Sequence, residues 1–70
     1  MKKYDYSKLL GKIKECGYTQ EKLAEKISIS ACSLNLTLNN KREFRQDEIL
    51  EISKVLDIHS GEIEAYFFAH

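Results

Sequence analysis

The chain is expected to fold as an all-α bundle of five short helices, and three observations carry that expectation. The 70 residues include no proline and only three glycines, so few positions interrupt a helix. Helix formers dominate, and no segment sustains the period-2 alternation of a half-buried strand. Apolar residues instead recur three and four apart in successive stretches separated by short polar connections. A chain of this length makes one domain, and a small one, because surface-to-volume scaling limits the core.

The first helix is expected over 6–16. Asp5 is placed to cap it and Gly17 to end it, since glycine tolerates the left-handed conformation found past helix C-termini. Leu9, Leu10, Ile13 and Cys16 make its apolar face. Thr19 opens the second helix, its hydroxyl accepting a bond from an otherwise orphan backbone N–H. Residues 20–26 are all good helix formers. Leu23, Ala24 and Ile27 fall on one stripe. The pattern stops at Ser28, Ile29 is apolar but out of phase, and Ser30 supplies the next cap.

The third helix is expected over 30–39. Leu34 and Leu38 point to the core, while Ala31, Cys32, Asn35 and Asn39 point elsewhere. Asn40 is a good residue for the left-handed stop. The connection from Lys26 to Ser30 has the length of the turn in a helix-turn-helix unit, here spanning about 19–39. Residues 46–56 form the fourth helix, with Ile49, Ile52, Val55 and Leu56 on one face and Asp47 and Glu48 in the first turn, where the macrodipole favours acids. His59 or Ser60 caps a last helix that ends near Ala65. Ile63, Tyr66 and Phe67 dock it.

The run Gln20, Leu23, Ala24, Ile27, Ile29, Ser30, Leu34 resembles the Q-x-x-L-A-x-x-(L/I)-G-(I/V)-S-x-x-x-(I/L) pattern of small phage and prophage repressors, the Cro/CI-like group. YDYSKLLGKI at the start, NxKREF after the third helix and EIxxYFF near the end are also similar to short members of that group. The resemblance implies a five-helix fold of the lambda-repressor-like helix-turn-helix type. It implies a sequence-specific DNA-binding transcriptional regulator that reads the major groove of double-stranded DNA with the third helix, in the cytoplasm of a bacterium or phage-infected host. Two departures stand out. Ser28 occupies the turn where that group has glycine, and Asn40 stands where it commonly has another. The base-reading positions at the start of the third helix fall on Ala31 and Cys32, neither a strong partner for a base edge.

On this reading the DNA-contacting residues are Thr19, Gln20, Ser30, Ala31, Cys32, Ser33, Asn35, Asn39, Asn40, Lys41, Arg42 and Arg45. Gln20 bonds a phosphate and bridges to the third helix. Ser30 caps its helix and turns backbone N–H groups toward a phosphate. Asn35 either bonds adenine or sits on a solvated polar face. Asn39 favours phosphate over base. Lys41, Arg42 and Arg45 cluster at the exit of the third helix and attract phosphate. Cys32 touches a thymine methyl or does nothing; it has no cationic neighbour to make it a reactive thiol. Leu36 lies off the core stripe and either meets a thymine methyl or, preferably, packs on the following loop.

Charge supports an alternative. Eleven Lys and Arg balance eleven Asp and Glu, whereas a DNA-binding domain is usually basic. Acids concentrate late, at Asp47, Glu48, Glu51, Asp57, Glu62 and Glu64, so the local field near Lys41 is more favourable than the net charge. The alternative is a helix-turn-helix-shaped protein-interaction module with little intrinsic DNA affinity. Other classes fare worse. His59 and His70 lie outside any metal-ligand spacing, and Cys16 and Cys32 are too far apart for a knuckle or redox pair. Four tyrosines have no accompanying base, nucleophile or phosphate loop, so no enzyme and no cofactor is expected. No apolar run approaches the roughly 20 residues that span a bilayer, and Lys2 and Lys3 precede no signal-peptide core. The run Tyr66, Phe67, Phe68 should give one or two rings to the core and leave one for a homodimer contact.

Overall fold

The computed structural model describes residues 3–69, so His70 lies outside the described residues. Its elements are α1 (Ser7–Glu15), α2 (Gln20–Lys26), α3 (Ala31–Leu38), α4 (Gln46–Val55), a 3-10 turn (Ser60–Glu62) and α5 (Ile63–Phe67). No strand occurs among the described residues. The fold is the expected all-α arrangement of five helices. The last helix runs two residues past the expected end, because Tyr66 and Phe67 are both buried and hold its final turn on the core.

The first four helices stop in the same way. Gly17, Ser28, Asn40 and Asp57 follow them with φ of 80°, 61°, 61° and 55°. In each case the next N–H bonds back to a carbonyl five residues earlier: Tyr18 to Ile13, Ile29 to Ala24, Lys41 to Leu36, and Ile58 to Ser53. This is the Schellman closure, which satisfies carbonyls the helix leaves orphaned. Ser28 and Asn40 adopt the expected conformation. Asp57 was not anticipated, although its short polar side chain tolerates that region.

Helix starts follow the side chains. Thr19 Oγ1 accepts from the Lys22 N–H at 3.1 Å, and Ser30 Oγ accepts from the Ser33 N–H at 3.0 Å. Asp5 acts one position earlier than expected. Tyr6 is the residue preceding α1, and the Asp5 carboxylate instead accepts from the Ser7 N–H at 2.9 Å and from its hydroxyl. These two bonds hold the Asp5 carboxyl below its ordinary value.

The core joins Leu9 and Ile13 of α1, Leu23 and Ala24 of α2 with Ile27 at its end, Leu34 and Leu38 of α3, then Ile52, Leu56 and Ile58, and Tyr66 and Phe67 of α5. The apolar face of α1 is narrower than expected. Leu10 and Cys16 are exposed, and Tyr6, which is buried, completes the stripe with Leu9 and Ile13. Phe44 bridges two core rings edge-on, at 5.5 Å from Tyr6 and 5.2 Å from Phe67 between centroids. Such tilted aromatic pairs contribute beyond their area.

Candidate functional site

The α2–turn–α3 unit presents one face of α3 outward. At 100° per residue, Ala31, Asn35, Asn39, Cys32 and Leu36 fall within one sector, and all five are exposed. Leu34, Thr37 and Leu38 occupy the opposite side and are buried. Leu36 is 38% exposed. Its backbone carbonyl accepts the Lys41 N–H at 2.8 Å.

Two amides organise this face. Asn35 Nδ2 donates to Gln20 Oε1 at 3.3 Å, which ties α3 to the start of α2. Asn39 Nδ2 donates to the Asn35 carbonyl at 2.8 Å, closing the last turn of α3. Thr19 and Ser30 are committed as caps, and Ser33 Oγ accepts from Ser30 Oγ at 2.9 Å. Ala31 and Cys32 are exposed, the latter as a free thiol. Lys41 and Arg45 are exposed, and neither forms an ion pair among the described residues.

Two of the expected DNA ligands make side-chain bonds within the architecture. Asn40 Oδ1 accepts from the Tyr4 N–H at 2.7 Å, and its Nδ2 donates to the Tyr4 carbonyl at 2.9 Å. Both halves of the amide are thus taken up by the backbone of one residue 36 positions away. Asparagine, unlike glycine, can accept the left-handed stop and make this latch together. The neighbouring Asp5 N–H donates to the Ala69 carbonyl at 2.7 Å, so the two ends of the described chain meet beside it.

Arg42 is the second of these residues. Its guanidinium grips Glu48 with both terminal nitrogens, Nη1 to Oε1 at 2.9 Å and Nη2 to Oε2 at 2.7 Å. Nη1 also donates to Thr37 Oγ1 at 2.8 Å, and that hydroxyl donates to the Ser33 carbonyl at 2.9 Å. Glu48 Oε1 accepts the Arg45 N–H at 3.0 Å, which caps α4 where the Arg45 side chain has no acceptor to offer. Glu48 is only 4% exposed. The Arg42 bond holds its carboxyl below the ordinary value, against the opposing effect of burial. Glu48 in turn pushes Arg42 up.

The C-terminal rings divide clearly. Tyr66 and Phe67 belong to the core, and only Phe68, 43% exposed, is left for a partner. Among the described residues no cluster fits a metal ion, and no helix is long and apolar enough to cross a membrane.

The described residues thus form five helices, with α2 and α3 joined by a short turn and no charged side chain on α3. The chain belongs to the family described as "Protein of unknown function (DUF739)", which matches residues 2–70. It is also similar to the modulator of repression (MOR) of the temperate bacteriophage TP901-1 from Lactococcus lactis, solved in solution. The two are 43% identical, with a TM-score of 0.79, over 93% of this chain and 88% of that one. No curated protein matches the sequence.

Proposed function

We propose that this chain is a phage regulatory protein that modulates repression, and that it does so mainly by docking a protein of the repression machinery on the outer face of α2 and α3. The similarity to the phage modulator of repression, at 43% identity over 93% of the chain, carries the regulatory role. The makeup of the face favours docking over independent DNA reading. Its sector combines Ala31, Cys32 and the exposed Leu36 with two amides already partly engaged. Arg42 and Asn40 are spent internally. The chain carries no net charge, whereas phosphate neutralisation supplies much of DNA affinity.

A second reading, a Cro-like repressor that binds DNA directly, is favoured by one observation. The Gln20–Asn35 bond uses one Nδ2–H of the exposed Asn35, and its Oδ1 and second N–H are the set an adenine edge requires, with Lys41 and Arg45 exposed nearby in sequence.

Leu36→Lys separates the two. A lysine in the centre of a protein contact disrupts it, while a lysine on a DNA-reading helix adds attraction for phosphate. In a reporter driven by the phage's repressed promoter, the variant should lose its modulating effect while its melting midpoint stays unchanged. Retained modulation together with stronger DNA retention would favour the Cro-like reading.

A further inference from the structure

We propose that the groove between α4 and α5 is a second docking site, shaped for a basic amphipathic helix of a partner protein. The groove has a volume of about 420 Å³ and is lined by Phe44, Gln46, Ile49, Leu50, Ile63 and Phe68. Leu50 and Phe68 are the two most exposed large apolar side chains of the described residues, at 50% and 43%. None of the six belongs to α2 or α3. An occupant here leaves the outer face of α3 open, so the inference goes beyond the function proposed above.

Charge selects the occupant. Residues 1–42 carry nine Lys and Arg against four Asp and Glu, and residues 43–70 carry two against seven. The neutral total hides a molecule with a basic first part and an acidic second part, and the groove is built from the acidic part. Glu43 lines the adjoining hollow, which shares Phe44 and Phe68 with the groove. Asp47, Glu51, Glu62 and Glu64 are exposed on or beside the two helices that form it. The cations of this part are Arg45 and Lys54, and Glu48 is withdrawn into its pair with Arg42.

The acidic part of the chain that carries the groove repels nucleic acid and anionic lipid. It also repels a second copy docking by the same face, because an isologous contact sets like charges against each other. A cationic partner gains from the same field. Two helices flanking an apolar groove accept the ridge of a third, and a helix with apolar anchors spaced i, i+4 and i+7 meets such a groove through one stripe while its basic flanks meet the acids.

Two synthetic helical peptides test this on the full chain. Both carry leucines at i, i+4 and i+7; one has lysine and the other glutamate at the flanking positions. Binding is read by fluorescence anisotropy, and sedimentation of the chain alone is run alongside. The lysine peptide should bind at least about tenfold more tightly than the glutamate peptide, and Leu50→Ser should weaken it by about tenfold with an unchanged melting midpoint. Phe68→Ala should act in the same direction, though Phe68 also meets Tyr4 edge-on at 5.9 Å, which makes Leu50→Ser the cleaner variant. Equal binding of the two peptides, or lysine-peptide binding indifferent to Leu50→Ser, overturns the proposal. A dimer of the chain alone that Leu50→Ser dissolves overturns it too, by making a second copy the occupant.

Discussion

Between Thr19 and Asn39, each cap and turn is made by residues no more than five positions apart. The region that closes the bundle is built differently. Tyr4 meets Asn40, Asp5 meets Ala69, and Phe44 meets both Tyr6 and Phe67. Arg42 and Glu48, six apart, lock the α3–α4 connection to Thr37 inside α3. The first region carries a face, and the second holds it in place. The difference explains why polar residues of similar appearance have opposite fates. Asn39 remains on the surface while Asn40 becomes a latch; Arg45 stays exposed while Arg42 becomes a strut.

The largest effect that tests this division should come from the strut. Arg42→Ala leaves Glu48 buried without its partner and should destabilise the fold by about 3 kcal/mol, the low end for a broken buried pair because the Arg42 side chain is 28% exposed. Chemical denaturation measures it; a loss under about 0.5 kcal/mol, as at an ordinary surface site, would return Arg42 to the free surface. The pair also fixes an acid sensitivity. The Glu48 pKa is lowered by folding, so its contribution is fully present above the ordinary value of 4.5 and is lost as pH falls below it through the lowered value. The Glu48→Gln variant should be less stable at neutral pH and lose less on acidification than the parent.

The latch comes next, and two substitutions separate its parts. Asn40→Gly keeps the positive φ and removes the side-chain bonds to Tyr4, for a cost of about 1–2 kcal/mol. Asn40→Ala removes the same bonds and adds left-handed strain, so it should cost about 1 kcal/mol more than glycine. Equal melting midpoints for glycine and the parent would show that the Tyr4 bonds contribute nothing.

The smallest effect belongs to the turn between α2 and α3. Ser28 sits at φ 61° with a Cβ, and Ser28→Gly should raise stability by about 1 kcal/mol. A lowered denaturation midpoint would contradict the strain assigned to this turn.

The same division sets how much the chain discloses before it is folded. Thr19, Ser30, Gly17, Ser28 and Asn40 are legible because caps and stops depend on a few neighbouring residues. The outer face of α3 follows from helical period alone. The burial of Glu48 is not legible, since an acid in a first turn already has a sufficient local reason in the helix dipole. Its real partner is six residues back, across a connection with no regular geometry. The latch at Asn40 is hidden for the same reason. Nothing local shows that the side chains of Arg42 and Asn40 have partners within the fold.

A titration of mixed-sequence duplex DNA with the wild-type chain, at low and at moderate salt, tests the central claim most directly. If the α2–α3 face works by docking protein, no saturable binding appears at low salt up to about 10 μM protein, a range in which non-specific DNA binders are well populated. Binding at low salt that weakens steeply as salt rises would contradict the account and make the chain a DNA reader in its own right.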